Sequence, residues 1–219
     1  MNVYRYKTND EAKSGAIEAL NRSFAEIREP ILFLSSGGSA LELLEGLHLE
    51  EKVTVSVLDE RYSQDPTVNN FAQLFGNIHP TTFVDTRVKD NETLKQLAER
   101  FEKELRLWKE KNPSGKVVIT QGVGSDGHTA GILPYPENPE LFKKLFDTPS
   151  HWVTGYDSRV TVTLSFLRRI VDYALVYLVG EHKREALREI LASEGTLWLT
   201  PGRIIQEMKN VKLFTDIVY

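Results

Sequence analysis

Residues 116–134 of the chain read KVVITQGVGSDGHTAGILP, an apolar, strand-like run that leads directly into a glycine-rich turn. The glycines permit positive φ angles and a close approach of the backbone, and the turn carries Asp126 and His128. A carboxylate two residues away can hold a histidine in one orientation, and imidazole is the side chain that titrates nearest to neutral pH. The stretch therefore predicts a strand end that presents a histidine for proton transfer on a small ligand.

The composition favours a globular α/β protein and argues against several partners. Of the 219 residues, 41% are hydrophobic, which is ample for a core, and we expect a single domain over residues 1–219. The net charge of −4 creates no field that would gather nucleic acid or an anionic membrane. The absence of cysteine excludes disulfides, thiolate nucleophiles and cysteine-based zinc sites. Because MNVYRYKTND has no apolar leader, we expect a cytoplasmic protein. We also expect a monomer or a weak dimer.

Alternating apolar runs and amphipathic segments predict the order of strands and helices. The predicted strands are 3–6, 31–34, 53–58, 116–120, 160–164 and 174–179, with one or two edge strands within 211–218. The predicted helices run from a cap at Thr8 or Asn9 to about Arg28, over 40–47, around Phe71, and over 92–111, 141–146 and 182–191. Continuously apolar strands separated by helices are typical of a doubly wound, mostly parallel sheet with helices on both faces, whose ligands bind at the carboxyl ends of the strands.

A second glycine-rich loop, SSGGS at 35–39, lies between a predicted strand and a predicted helix. Its backbone N–H groups, glycines and hydroxyl groups suit a phosphate group, so the candidate ligand contacts are Ser36, Gly37, Gly38 and Ser39. The alternative is an ordinary turn in which Ser39 caps the helix. No Gly-Lys-Ser/Thr follows, so the loop is not a Walker A loop and does not predict nucleotide hydrolysis.

Residues 122–127, GVGSDG, formally match the G-x-G-x-x-G pattern of dinucleotide-binding folds. However, Pro134, Pro136 and Pro139 soon interrupt the helix that this pattern requires. No apolar strand ends in an acidic residue at the expected distance either. The pattern is therefore interpreted as coincidental, and no cofactor is expected.

The tripeptide Asp59-Glu60-Arg61 follows the predicted strand 53–58. Its two carboxylates and its guanidinium would then face the ligand side of the sheet, which makes Asp59 and Arg61 candidate ligand contacts. The alternative is a salt-bridged surface turn.

The histidines do not have the spacing of a metal site. No pair has the i, i+4 separation of a helical motif such as H-E-x-x-H, so no metal is expected. The histidines without a glycine-rich setting are interpreted as surface or boundary residues: His48, His79, His151 and His182.

Four blocks of sequence follow one another between residues 35 and 183. They are Ser-Gly-Gly-Ser, Asp-Glu-Arg, Gly-x-Gly-x-Asp-Gly-His-Thr-Ala, and Arg159-Val-Thr-Val-Thr-Leu followed by Gly180-Glu-His-Lys183. In this order they closely resemble the 6-phosphogluconolactonase family, and they are far more specific together than singly. The related glucosamine-6-phosphate deaminases and isomerases share the architecture and several blocks.

The resemblance implies a Rossmann-like fold and the hydrolysis of 6-phospho-D-glucono-1,5-lactone to 6-phosphogluconate, in the pentose phosphate pathway. It implies that His128 takes a proton from the attacking water. The other site residues that it implies are Asp126 beside the histidine, Arg61 near the ligand, and Gly37, Gly38 and Ser39 as the phosphate loop with Arg159 and Lys183 as its cationic partners.

Leu133 separates the two branches that the chain resembles. The deaminases carry Asp-Gly-His-x-Ala-Phe-Asn-Glu-Pro, whose glutamate supports ring opening and isomerisation, and Leu133 stands at that position here. The lactonase pattern Asp-Gly-His-Thr-Ala-x-x-x-Pro is met by 126–134. The chain departs from the lactonases at Val68, where serine is usual, and over 192–210. The alternatives are a deaminase/isomerase and a non-catalytic sugar-phosphate-binding protein of the same fold.

Overall fold

Strands and helices alternate along the part of the chain that this computed structural model describes, which is residues 1–78, 80 and 82–218. The strands are β1 (Asn2–Arg5), β2 (Ile31–Ser35), β3 (Val53–Val57), β4 (Asp59–Arg61), β5 (Thr82–Phe83), β6 (Lys116–Gln121), β7 (Val153–Tyr156), β8 (Arg159–Val162), β9 (Tyr173–Tyr177) and β10 (Val211–Thr215). The α-helices are α1 (Asn9–Glu26), α2 (Asn70–Asn77), α3 (Leu94–Lys111), α4 (Pro139–Phe146), α5 (Leu164–Arg169) and α6 (Arg184–Leu191). The 3-10 helices cover Gly38–Gly46, Glu181–Lys183 and Pro201–Gln206.

Seven of the described strands form one parallel sheet in the order β1-β10-β9-β6-β2-β3-β5. The other three form a small antiparallel sheet in the order β4-β8-β7. Because the large sheet is parallel, the loops that follow β2, β3, β6 and β9 all leave it at one edge. The prediction of a doubly wound, mostly parallel α/β fold is confirmed.

Helices cover both faces of the large sheet, and side chains alternate between those faces along each strand. In β2, Leu32 and Leu34 pack in the core that also contains α3, α4, α5 and α6. Ile31 and Phe33 pack in the opposite core, which contains α1 and α2. This double burial explains why the strands read as continuous apolar runs.

Side-chain caps set several helix starts. The Thr8 hydroxyl accepts a hydrogen bond from the N–H of Glu11 and caps α1, one of the two expected positions. Thr93 and Gln96 form a reciprocal capping box at the start of α3, so this helix begins at Leu94 rather than at Glu92. None of the described helices is long and apolar enough to cross a membrane.

Several predicted elements differ from the structure. The predicted helix 40–47 is a 3-10 helix that spans Gly38–Gly46. Strand β10 is not an edge strand, because β1 pairs on its outer side through contacts such as Val3↔Leu213. The predicted strand 160–164 is β8 of the antiparallel sheet, and it stops at Val162 because Thr163 caps α5. The predicted helix 182–191 is divided between the 3-10 helix Glu181–Lys183 and α6.

The exposed histidines agree with their interpretation as surface residues. His48, His151 and His182 are all exposed, whereas His79 lies outside the described residues. Among the described residues, no group of three or more histidine, aspartate or glutamate side chains is arranged to hold a metal ion.

Candidate active site at the carboxyl ends of the parallel strands

The loop after β6 holds Asp126 and His128 as a hydrogen-bonded pair. The Asp126 Oδ1 atom lies 2.5 Å from His128 Nδ1 and also accepts the backbone N–H of His128 at 3.1 Å. Partial burial raises the pKa of Asp126, but the hydrogen bonds from His128 outweigh burial, so this pKa lies below its ordinary value. Since an ionised carboxylate can only accept, Nδ1 of His128 donates. The histidine side chain is 37% exposed, so its ring remains accessible to a ligand.

Glycines are required around this imidazole for steric reasons. A Cβ atom at Gly124 would collide with the His128 ring. Gly127 has a φ of +84°, in the left-handed region that favours glycine. The Gly124 N–H donates to the His128 carbonyl at 2.9 Å, and the Gly202 N–H donates to the Gly127 carbonyl at 2.9 Å. The loop is thus closed on itself and tied to a second segment, which restricts the ring's position.

Ser36 connects this loop to the glycine-rich loop after β2. The buried Ser36 hydroxyl accepts the N–H of Gly122 at 3.1 Å, and the Ser36 N–H donates to the Thr120 carbonyl at 3.2 Å. The two loops that sequence analysis singled out therefore lie side by side at one edge of the sheet.

Within the 36–39 loop, the backbone of Gly38 has open space in front of it. At Gly38, where φ is +62°, an added Cβ would meet no described atom within 4 Å. The residue at the N-cap of the following 3-10 helix is Gly37, which provides no side-chain hydrogen bond, and Ser39 lies inside that helix. The alternative in which Ser39 caps the helix is therefore wrong.

Asp59 and Asn70, which follow β3, lie beside the 36–39 loop. The Asn70 Nδ2 atom donates to the Asp59 carbonyl at 2.9 Å and to its carboxylate at 3.3 Å. A Cβ at Gly37 would lie 2.6 Å from the Asn70 Oδ1 atom. Burial raises the pKa of Asp59, although the charge of Arg159 favours its ionised form. Asn70 thus contacts both the 36–39 loop and the Asp59 carboxylate, a role that no local pattern in the sequence indicates.

Two arginines lie opposite each other on neighbouring strands of the antiparallel sheet. Arg61 and Arg159 are register partners on β4 and β8, and the Arg159 Nη1 atom lies 3.9 Å from Asp59 Oδ2. Burial and the neighbouring charge of Arg61 both lower the pKa of Arg159. Like charges directly opposite each other are unfavourable, so this pair would interact favourably with an anion.

Lys183 lies on the opposite side of β2 and β6 from Asp59 and Arg61. It follows β9, whereas Asp59 and Arg61 follow β3, and these strands flank β6 and β2 in the sheet. Burial lowers the pKa of Lys183, while the charge of Glu42, in the 3-10 helix Gly38–Gly46, acts in the opposite direction. The lysine therefore lies near the helix that the 36–39 loop begins.

Glu60 does not face the ligand side of the sheet, contrary to expectation. Its carboxylate is fully buried and is bound by the first turn of α2. Successive residues of a strand point to opposite faces, so Asp59 and Glu60 diverge. The tripeptide is also not a surface turn, because it forms β4.

A cavity of about 120 Å³ adjoins Arg159, and Gly131 and Leu133 also contribute to its lining. A larger cavity of about 820 Å³ lies elsewhere, between α3 and β7. The larger cavity is lined in part by surface charges of α3, such as Lys95 and Glu99. The candidate site is therefore the cluster of polar side chains at the carboxyl ends of the strands, not the larger cavity.

Comparisons with known proteins identify the family of the chain. A family model described as glucosamine-6-phosphate isomerases/6-phosphogluconolactonase matches residues 7–214. A 6-phosphogluconolactonase from Synechocystis is 29% identical over 208 residues, covering 85% of this chain and 82% of that protein. A probable 6-phosphogluconolactonase from Dictyostelium discoideum is 23% identical over 213 residues, covering 94% and 86%.

Solved structures share the fold. A 6-phosphogluconolactonase from Shewanella baltica superimposes with a TM-score of 0.78 at 18% identity, covering 98% of this chain and 96% of that one. The corresponding values for a 6-phosphogluconolactonase from Trypanosoma cruzi are 0.77 and 20%, covering 98% and 93%. The match over residues 7–214 shows that this chain belongs to the family of glucosamine-6-phosphate isomerases and 6-phosphogluconolactonases.

Proposed function

We propose that this protein hydrolyses 6-phospho-D-glucono-1,5-lactone to 6-phosphogluconate, a reaction of the pentose phosphate pathway. The names of the relatives support this assignment. The observation that carries it is that the Asp126–His128 pair lies beside the 36–39 loop. Ser36 of that loop accepts a hydrogen bond from the N–H of Gly122, in the loop that carries the pair. A proton-transfer group and an anion-binding loop in one crevice suit a phosphorylated ester.

In the proposed mechanism, Asp126 holds Nδ1–H of His128, so that Nε2 is the nitrogen that accepts a proton. Nε2 takes a proton from water while the water oxygen bonds to the lactone carbonyl carbon. The bond between that carbon and the ring oxygen then breaks, and Nε2 returns the proton to the departing oxygen. The carboxylic acid that forms releases its proton to solvent. An acid–base group of this kind contributes about 10²–10⁴-fold in rate.

The cations have separate proposed roles. The backbone of residues 37–39, with Lys183 and Arg159, binds the phosphate and so orients the lactone at a distance from the reacting carbon. Arg61 stabilises the negative charge on the carbonyl oxygen in the tetrahedral intermediate. The carboxylate of Asp59 orients Arg159 and contacts substrate hydroxyl groups.

Leu133 supports hydrolysis over the isomerase chemistry of the same family. Its side chain contributes to the cavity beside Arg159 and Gly131. An alkyl group at this position cannot transfer a proton, as the aldose–ketose reaction of the deaminases requires at the corresponding glutamate.

The test follows the loss of freshly prepared 6-phosphogluconolactone against its spontaneous hydrolysis. We expect a protein-dependent rate well above the background and a much weaker effect on the phosphate-free lactone. Glucosamine 6-phosphate is tested in parallel for release of ammonia. A lactone rate no faster than the background would reject the assignment, and ammonia release would favour the deaminase.

A further inference from the structure

Glu60 is a buried carboxylate beside the candidate site that the proposed chemistry does not use. Its side chain is inaccessible to solvent. Burying a carboxylate costs free energy unless hydrogen bonds offset the loss of hydration. The groups that supply those bonds to Glu60 are therefore held firmly in return.

Four donors converge on the two oxygens of Glu60. Oε1 accepts the backbone N–H groups of Arg61 and Asn70, each at 2.7 Å. Oε2 accepts the N–H of Phe71 and the hydroxyl of Thr86, each at 2.9 Å. Three of these donors are backbone N–H groups, which cannot act as acceptors. One carboxylate thus joins β4, the first turn of α2 and the segment after β5.

One of these donors, Asn70, also connects Asp59 with the 36–39 loop. Asn70 is held by Glu60 through its backbone, while its side chain donates to the carbonyl and carboxylate of Asp59. The same side chain lies against Gly37. Movement of Asn70 would therefore change the position of Asp59 relative to the 36–39 loop.

We propose that Glu60 is a positioning residue of the substrate site, which acts through Asn70 to hold Asp59 in register with the 36–39 loop. Only the kinetic consequence of this role rests on the proposed function. The structural part, that Glu60 fixes Asn70, is measurable without substrate.

The kinetic test is a double-mutant cycle of Glu60→Gln, Asn70→Ala and the double variant. Glutamine conserves the shape but cannot accept from both Phe71 and Asn70 with the same geometry, because one oxygen becomes an NH₂ group. Since contacting residues couple, we expect each single change to lower kcat/KM about tenfold and the double change to lower it little further. Glu110→Gln, an exposed change on α3, is the matched control and should leave kcat/KM unchanged.

Losses that multiply to about a hundredfold in the double variant would contradict action through Asn70. Wild-type kcat and KM in Glu60→Gln, with only the stability lowered, would reduce Glu60 to a folding role and reject the proposal. Should Glu60→Gln not fold, Thr86→Val removes one donor and keeps the carboxylate; it should show a smaller loss than Asn70→Ala, and an unchanged kcat/KM would count against the proposal.

The substrate-independent test is amide hydrogen exchange by NMR. In Glu60→Gln, or in Thr86→Val if the first variant does not fold, the amides of Asn70 and Phe71 should exchange faster and the Asn70 side-chain NH₂ signals should shift. Glu110→Gln should leave both unchanged. Wild-type exchange and signals in the Glu60 variant would reject the role of Glu60, whereas an inactive wild-type protein would reject only the proposed function.

Discussion

The Ser36 hydroxyl accepts a hydrogen bond from the backbone N–H of Gly122 at 3.1 Å, and this bond joins the loops after β2 and β6. A serine that follows β2 thus ties the 36–39 loop to the loop that carries His128, a residue 92 positions further along the chain. The relation has a measurable consequence.

Ser36→Ala should weaken both stability and catalysis. The Gly122 N–H would lose its acceptor, which costs about 1–3 kcal/mol when the group is buried. Urea unfolding should show this decrease, and kcat/KM for the lactone should fall. Ser14→Ala, at an exposed position of α1, is the control and should leave both quantities near the wild-type values.

His128→Ala should abolish most turnover while the protein stays folded. The ring is partly exposed, so its removal leaves no deeply buried cavity. Loss of the acid–base group should lower kcat about 10²–10⁴-fold. Steady-state kinetics and far-UV circular dichroism measure the two effects, and His151→Ala, an exposed histidine, is the control. Near-normal lactone hydrolysis in His128→Ala would reject the proposed role.

Arg159→Ala and Lys183→Ala should mainly raise KM. Each removes a charge-assisted contact to phosphate, which is worth about 1.5–3 kcal/mol, or roughly 10–100-fold. Lys103→Ala, exposed on α3, is the control. An unchanged KM in both variants would remove these residues from the phosphate site, and a loss confined to kcat would assign them to the reacting carbon instead.

Gly124→Ala should lower kcat strongly and should lower the free energy of unfolding only modestly. The added methyl group would collide with the His128 ring and displace it from Asp126. Gly76→Ala, in α2, is the matched control, because a Cβ there meets no described atom within 4 Å. Full activity in Gly124→Ala would show that the ring tolerates displacement, contrary to the proposed mechanism.

The stability of the protein should depend on the protonation of Glu60. Burial raises the pKa of Glu60 from 4.5 to about 7, and its hydrogen bonds offset this only in part. The folded state thus binds this proton more tightly than the unfolded state does. The resulting contribution is fully present below about pH 4.5 and is lost as the pH rises through about 7.

Between pH 5 and pH 8, the wild-type free energy of unfolding should fall by on the order of 2–3 kcal/mol more than that of Glu60→Gln. Urea unfolding at both pH values measures the difference. Parallel pH profiles of the two proteins would mean that Glu60 stays ionised throughout.

The two glycine-rich loops could be predicted because their residues are adjacent in sequence. An apolar run followed directly by glycines and polar side chains predicts a turn at the carboxyl end of a strand, and both 35–39 and 122–128 begin where a strand of the parallel sheet ends. Their location at one edge followed from the parallel sheet alone. The roles of the individual site residues stay predictions until the variants are measured.

Asn70 and Glu60 could not be assigned from the sequence, because their partners are distant in the chain. Asn70 lies against Gly37, and Glu60 is bound by Thr86. The direction of Glu60 also depends on β4, a three-residue strand with no apolar pattern to reveal it. Likewise, the interior position of β10 depends on its pairing with β1, which no local pattern indicates.

That last pairing has a consequence for how the chain is made. Strand β1 is synthesised before every other strand that the structure describes, yet its neighbour in the sheet is β10, Val211–Thr215. Contacts so distant in sequence form late, because a long loop must close first. During synthesis β1 therefore cannot join the sheet until β10 has been made, and a nascent polypeptide stalled before residue 211 would carry β1 without the strand that links it to the rest of the sheet.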